Sequence, residues 1–283
     1  MYTRVKTEAE IENMRASGKI LANVLSLLKS KVTSGISTKE LNDIAAKQLK
    51  SLGGQAAFHG YQGFPESICI SVNDEVVHGI PSKDKIISDG DIVSLDLGVS
   101  YKGMITDSAI SVICGFFPEE SHVKNSINFM SSTSRPQVVP KDDFKPTKKI
   151  HDLVMYTEQA LLEGLAVIKH GCYTGDIGFA VQKVLEKHGY GIVRDLVGHG
   201  VGHAVHEEPN IPNFGRRNIG PQLARGMTVA IEPMATMGRE AVVIDPDGWT
   251  VRTQDNSLAA HFEHTVLVTD DGCEVLTLAP SAP

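Results

Sequence analysis

The chain has 283 residues, 41% hydrophobic and 22% charged, which suits one or two globular domains with a sizeable core. A formal net charge of −7 excludes the basic footprint of a protein whose main partner is nucleic acid. No run approaches the roughly 18 apolar residues of a membrane span, no apolar signal segment opens the chain, and Cys69, Cys114, Cys172 and Cys273 form no C-x-x-C; reduced thiols in a cytoplasmic protein are expected.

Thr7-Glu8-Ala9-Glu10 reads as a capping box that opens a helix. Ile11, Met14, Leu21, Val24, Leu25 and Leu28 supply its apolar stripe. Ser37-Thr38-Lys39-Glu40 is a second box, followed by Leu41, Ile44, Ala45 and Leu52 and ended by Gly53-Gly54. Residues 68–78 read as two short strands around an Asn-Asp turn, with His78 at the end of the second. Gly90 to Val99 reads as a strand and Met104 to Val112 as its hairpin partner. Asp96 and Asp107 lie inside these strands, where aspartate is depleted. Alternation puts Asp96 on the face opposite Leu95 and Leu97. Two carboxylates converging on paired strands need a cation or a shared proton.

Residues 116–148 hold Pro118, Pro136, Pro140 and Pro146 and few spaced apolar positions. They read as a surface insertion with one helical turn near Val123–Met130, a tolerated loop rather than a docking element. Helical spacing resumes at Ile150, Leu153, Val154, Leu161, Leu162, Leu165 and Ile168, and again over Thr174–Lys187, stopping at Gly189.

Then comes Gly198-His199-Gly200-Val201-Gly202-His203-Ala204-Val205-His206-Glu207-Glu208-Pro209. A helix would align His199 with His203, but each interior glycine costs it about 0.5–1 kcal/mol. The helical H-E-x-x-H zinc pattern also fails, since Asn210 stands four residues after His206. The glycines let the backbone pass close to a metal, a substrate or another strand. The plainer alternative is a glycine-rich loop with incidental histidines. Gly226 to Pro233 reads as a strand carrying Glu232. Ala241–Ile244, Trp249–Thr253, Phe262–Thr269 and Glu274–Leu278 complete a strand-rich end, with Glu263 again an acid in a strand.

The two halves resemble each other at a fixed offset of 136 residues. Gly35 matches Gly171, Thr38 matches Thr174, and Lys47, Leu49 and Gly53 match Lys183, Leu185 and Gly189. Gly90, Val93, Leu95 and Asp96 match Gly226, Val229, Ile231 and Glu232. A duplicated α+β unit would make Asp96 and Glu232 symmetry mates at a junction, a common place for ligands.

Asp96, Asp107, His199, Glu232 and Glu263 form a donor set of carboxylates with one imidazole. It suits Mn²⁺, Fe²⁺, Co²⁺ or Zn²⁺. Four carboxylates exceed the charge of one dication, and two would neutralise them. A structural zinc would favour closely spaced cysteines, which are absent.

With Asn73 to Pro81, Gly198 to Pro209, Gly226 to Met234 and Phe262 to Thr265 in this order, the chain resembles a type I methionine aminopeptidase. The resemblance covers all but the 116–148 insertion. It implies the α+β pita-bread fold, two pseudo-symmetric halves around a central curved antiparallel sheet with helices outside. The halves would span about 7–115 and 149–280 of a single catalytic domain, 1–283. It also implies two-metal removal of the initiator methionine from nascent polypeptides with a small second residue. A monomer is expected, with no membrane or sequence-specific nucleic acid partner and with the ribosome near its exit tunnel as a further contact.

Carried over by position, Asp96 would chelate one metal, Glu232 and His199 the other, and Asp107 and Glu263 would bridge. His206 would hydrogen-bond the scissile carbonyl and its oxyanion. His78 would contact the amide nitrogen and help the leaving amine, and Glu232 would shuttle the water's proton. Tyr61, Phe64, Cys69 and Trp249, with His78 at the edge, would line the methionine pocket. His203 reads as a rim residue, and Glu207 and Glu208 as outer or surface groups. The chain departs from the family at Val205, often aromatic, and at Val77, cysteine in some members; both touch the pocket wall.

Two rivals remain on sequence. A proline-specific aminopeptidase or prolidase shares the five-ligand set but usually carries a substantial N-terminal domain and spaces its histidines differently. An inactive binding protein of this fold would typically have lost ligands, and this chain keeps all five. Only 31 residues separate Glu232 from Glu263, too few for the helical insertion of type II enzymes.

Overall fold

A computed structural model describes residues 3–116 and 147–278. The turn expected near Val123–Met130 lies outside the described residues. Helix α1 (Glu8–Lys29) starts at Thr7, whose hydroxyl accepts from the Glu10 amide while the Glu10 carboxylate accepts from the Thr7 amide. Helix α2 (Thr38–Ser51) starts at Ser37 in the same way with Glu40. Both boxes satisfy amides that a helix N-terminus leaves unpaired. The expected α1 stripe is buried throughout, whereas Leu52, just past α2, faces outward.

Strands β1 (Gln55–Ala56) and β2 (Cys69–Val72) flank a single 3₁₀ turn at Tyr61–Gly63, and β3 (Glu75–Val77) follows β2. The Asn-Asp turn forms, with Asn73 in the left-handed region at φ 60°. Its two strands nevertheless pair elsewhere: β2 with β4 (Ile92–Tyr101), and β3 with a strand from the far end of the chain. β4 and β5 (Met104–Ile113) form the expected hairpin.

Helices α3 (Lys148–Ala166) and α4 (Thr174–Lys187) come next, Ile168 lying just beyond α3. Strands β6 (Gly191–Ile192), β7 (Gly198–Gly200), β8 (Glu207–Ile211), β9 (Thr228–Ile231), β10 (Met234–Thr236), β11 (Val242–Ile244), β12 (Val251–Thr253), β13 (Ala259–His261), β14 (Glu263–Val268) and β15 (Cys273–Val275) complete the order. Several expected strands are shorter than their sequence patterns. Glu232 stands just past β9, and Trp249 just before β12.

The main sheet runs β1-β4-β5-β14-β9-β7-β8, with β2 on β4 and β15 on β14. Smaller sheets run β13-β10-β6 and β11-β12-β3. The repeat is physical. α2 and α4 begin 136 residues apart, at Thr38 and Thr174. Isolated bridges pair Ser37 with Ile86 and Tyr173 with Gln222, at the same offset. Gly35, Gly53 and Gly90 have positive φ, and so do Gly171, Gly189 and Gly226. β4-β5 of one half meets β14-β9 of the other across the β5–β14 seam. The ladder there is short, and side chains reinforce it: Thr265 Oγ1 donates to the Asp107 carbonyl at 2.8 Å, and Ser108 Oγ to that of Glu263 at 2.6 Å.

Helices cover the sheet. α1 and α2 pack on β2 and β4 around Leu21, Leu28, Leu41, Leu95 and Leu97, while α3 and α4 cover the second half around Leu161, Ile177, Val229 and Val266. Burial of such side chains contributes roughly 1.5–3 kcal/mol each. No helix among the described residues is long and apolar enough to cross a membrane.

Candidate metal centre

The register of the β4–β5 hairpin builds the first part of the site. Asp96 lies opposite Ala109 and Asp107 opposite Gly98. With a period of two, Asp96, Gly98, Asp107 and Ala109 share one face, so the carboxylates are diagonal neighbours. Gly98 is needed there, because a Cβ would stand 2.5 Å from the Phe58 ring that walls the cavity. Across the seam β14 opens with Glu263, and beyond it β9 is followed by Glu232. β7 brings His199 beside Ala230.

One ligand atom each from Asp107, His199 and Glu263 lies within 4.8 Å of the others. His199 Nε2 is 3.6 Å from Glu232 Oε1. His199 Nδ1 lies 2.9 Å from the Gly200 carbonyl. A carbonyl only accepts, so Nδ1 carries the hydrogen and Nε2 keeps its lone pair toward the carboxylates. Burial holds the His199 pKa down to about 3 and the ring neutral, the form that ligates.

The carboxylates are in the opposite condition. Burial pushes Asp107 up to about 7. Asp96, Glu232 and Glu263 are raised well above the usual range, first by burial and then by negative neighbours that include Asp107. Asp96 Oδ1, Asp107 Oδ1 and Glu263 Oε1 are buried without a hydrogen-bond partner. Orphaned oxygens of this kind are costly unless a cation faces them. The donor set therefore fits divalent metal.

A cavity of about 180 Å³ opens onto these groups. Tyr61, Phe64, Cys69, His78, Asp96, Asp107, His199, His206, Glu232, Trp249 and Glu263, all anticipated from sequence, line it. So do Phe58, Gln62, Leu196 and Val197, which sequence reasoning passed over. They lie in aperiodic segments, and their only signal was adjacency to the site motifs. Val205 is buried against Phe58, Phe64 and Cys69 and forms pocket wall, as does Val77. A larger hollow of about 440 Å³ around Asn73, Asp89, Asp91 and Thr147 contains none of these groups.

At one end, Phe64 meets Trp249 edge-on with centroids 5.2 Å apart, and His78 meets Trp249 at 6.4 Å. Trp249 is held by a turn in which its amide donates to Asp247 at 2.8 Å. His78 occupies the left-handed region at φ 59°, a conformation that local structure must enforce for a non-glycine residue. The enforcement is visible. Ile70 N donates to the Gly79 carbonyl at 2.8 Å and Gly79 N to Ser71 Oγ at 3.1 Å. Burial first, and then His206, lowers the His78 pKa to about 4.

His206 stands at the cavity mouth, its ring 4.3 Å from that of His199. Its Nδ1 is 3.0 Å from Tyr61 Oη, and Gln62 Nε2 donates to the same oxygen at 3.2 Å. Where the Tyr61 hydroxyl donates to His206 Nδ1, His206 Nε2 carries the hydrogen. His261 was also passed over. It is buried, its ring nitrogens have no hydrogen-bond partner, and Nε2 is 3.6 Å from Glu232 Oε2.

His203 does not line the cavity; it is half-buried, and its Nε2 contacts Glu10 at 2.7 Å. Glu208 is exposed, but Glu207 is no surface group: its side chain is wholly buried.

Buried carboxylates around neutral imidazoles, with an apolar pocket alongside, are the makings of a divalent-metal enzyme site. The chain belongs to metallopeptidase family M24, whose model matches residues 12–270. A methionine aminopeptidase of Mycoplasma capricolum is 40% identical over 273 residues, covering 96% of this chain and 97% of that protein. The crystal structure of a methionine aminopeptidase from Thermotoga maritima superposes with a TM-score of 0.86 at 37% identity, covering 98% of this chain and 99% of that one. A prolidase from Pyrococcus furiosus shares the fold, with a TM-score of 0.70 at 21% identity, but this chain spans only 66% of its length. The pita-bread architecture is common to these neighbours.

Proposed function

We propose that this chain removes the N-terminal initiator methionine from nascent proteins by metal-dependent hydrolysis, preferring a small second residue. The observation that carries the reading is a single cavity with a carboxylate cage on one side and Phe64, Cys69 and Trp249 on the other. An unbranched thioether suits such an aromatic, polarisable pocket. The methionine aminopeptidases to which the chain is similar over nearly its full length support the same reading.

Two divalent ions, of manganese, iron, cobalt or zinc, would balance four carboxylates. Asp96 would hold one, Glu232 and His199 the other, and Asp107 and Glu263 both. When bound, the metal supplies Lewis acidity for activating water and polarising the scissile carbonyl. The remaining work falls to side chains. His206, with its Nε2 hydrogen free, donates to the carbonyl oxygen as negative charge develops there. His78, held at the pocket edge, contacts the amide nitrogen and assists departure of the amine. Glu232 takes the proton from the attacking water and passes it on. Larger second residues would be disfavoured by crowding near the carboxylates, with Val205 relaxing the nearby wall.

The substrate sets the wider context. Nascent N-termini emerge at the ribosomal exit tunnel in the cytoplasm, and residues 7–115 and 149–280 form the two halves of one catalytic domain working there as a monomer. The test is reconstitution of metal-free protein with Mn²⁺, Co²⁺, Fe²⁺ or Zn²⁺ and measurement of kcat/KM on Met-Ala-Ser, Leu-Ala, Met-Leu and Ala-Pro peptides. Met-Ala-Ser is expected to be cleaved fastest. A methylene-scale mismatch is worth only about 10–200-fold, so a modest Leu-Ala rate is compatible. Faster cleavage of Leu-Ala or Ala-Pro would refute the methionine assignment.

A further inference from the structure

The stretch that carries His199 and His206 does not set its own shape. Residues Thr3 to Lys6 run across its back before α1 begins, and Thr3 and Lys6 are both buried. Strap side chains occupy the space that glycines leave. A Cβ on Gly200 would stand 2.6 Å from Thr3 Cβ, and one on Gly202 would stand 2.4 Å from Lys6 Cε. Lys6 N donates to the Gly226 carbonyl at 2.8 Å, which ties the strap to the segment entering β9.

Glu207, next in sequence after His206, places a wholly buried carboxylate into this contact. Its Oε1 accepts from the amides of His203 at 2.7 Å and Ala204 at 3.0 Å. Its Oε2 accepts from Lys6 Nζ at 3.1 Å and from the Thr3 hydroxyl. Lys6 Nζ also donates to Thr3 Oγ1 and to the Arg4 carbonyl, each at 3.2 Å, so its three hydrogens are all engaged. A buried ion pair is a poor source of stability compared with apolar packing, and its best-attested use is to select one arrangement. Here the arrangement selected is the turn from His203 to His206.

We propose that Lys6 and Glu207 are positioning residues for His206: through this buried pair the N-terminal strap fixes the 203–206 turn and the direction in which His206 enters the pocket. The inference rests on the reading above in placing His206 at the scissile carbonyl. It assigns the strap a part in the chemistry although no strap residue lines the cavity.

The test compares metal-loaded wild type, Lys6→Met, Lys6→Met/Glu207→Gln, His206→Ala and His206→Ala/Lys6→Met on a Met-Ala-Ser peptide, well below the melting temperature of each. Lys6→Met is expected to lower kcat about 10–100-fold, the scale on which partners that orient functional histidines act. KM and bound metal should stay within about two-fold. In the His206→Ala background the same change should cost almost nothing, because its effect passes through the missing ring. If Lys6→Met does not fold, the double variant, which leaves no unpaired buried charge, takes its place in both backgrounds. Hydrogen exchange at the His203 and Ala204 amides should quicken in the variants while amides of β14 are unchanged. A kcat within two-fold of wild type, an equal loss with and without His206, or unaltered exchange at both amides would overturn the proposal. If metal-loaded wild type releases no methionine, the functional reading fails, and amide exchange still decides whether the strap orders the turn.

Discussion

His206 meets one set of groups at its ring and another along its backbone. Its Nδ1 meets the Tyr61 hydroxyl, which also accepts from Gln62, and the turn before it is closed by Glu207. Replacing His206 by alanine is expected to lower kcat by roughly 10²–10³, the usual loss for an oxyanion donor. Metal content, read by elemental analysis, should be unchanged; stoichiometric loss of metal would make His206 a ligand instead. Tyr61→Phe removes only the orienting hydroxyl and should cost about ten-fold in kcat. Its Phe64–Trp249 neighbours keep the pocket apolar, so KM for Met-Ala-Ser should barely move; a KM effect larger than the kcat effect would make Tyr61 a wall and nothing more. At this scale sequence was a good guide where chemistry is unusual for its surroundings. Asp96 and Asp107 stood out because aspartate in a strand needs a reason. Lys6 and Thr3 did not stand out, since nothing local marks a lysine whose carboxylate partner lies some 200 positions away.

Helices were legible because their signals are local. Thr7–Glu10 and Ser37–Glu40 cap as their spacing implies, and Ser37→Ala should cost about 1 kcal/mol in urea unfolding. Small strands such as β10 and β13 were missed because three residues carry no period, and only their partners across the sheet define them. Packing distance was equally hidden. α1 crosses so close to the segment after β15 that a Cβ on Gly18 would sit 2.1 Å from the Leu276 carbonyl. Gly18→Ala is therefore expected to destabilise by about 1–3 kcal/mol despite alanine's better helix propensity, and an unchanged midpoint in urea would show that the helix can shift freely. The start of α1 also carries a pH signature. Hydrogen bonds to Glu10, first from His203 and then from Thr7, lower its pKa from 4.5 to about 2. A carboxylate lowered in the folded state adds stability above its unfolded pKa and loses it as pH falls through the folded value. The Tm advantage of wild type over Glu10→Gln should thus be full above about pH 5 and vanish toward pH 2; a difference that persists at pH 2 would show the effect is not ionic.

Across the whole molecule the metal centre is an arrangement of mutually repelling acids that the fold holds together. Stripping divalent metal should abolish cleavage and lower Tm, with both restored on adding Mn²⁺, Co²⁺ or Fe²⁺. A ligand at a hundred times its Kd contributes about 2.7 kcal/mol to folding. Full activity in verified metal-free protein would refute the mechanism. The duplication was readable as a constant offset, and its bridges, turns and glycines obey that offset in three dimensions. What the offset could not convey was the seam, where β5 and β14 meet through few ladder pairs and several hydroxyl groups.

That seam divides the donors between two stretches of chain. Asp96 and Asp107 come from before residue 116, and His199, Glu232 and Glu263 from after residue 147. One core cluster beneath α1 and α2 is drawn from residues 21–114, whereas Ile11 and Met14 at the start of α1 pack on Val201, Ala230, Leu267 and Leu276. A chain broken between 116 and 147 would therefore yield two pieces, the first with a core of its own and neither with a complete donor set. Co-refolded, the pieces should regain peptidase activity in proportion to the product of their concentrations at low concentration, and each alone should have none. Turnover would then report the meeting of the two halves, as a split reporter does for two fused proteins.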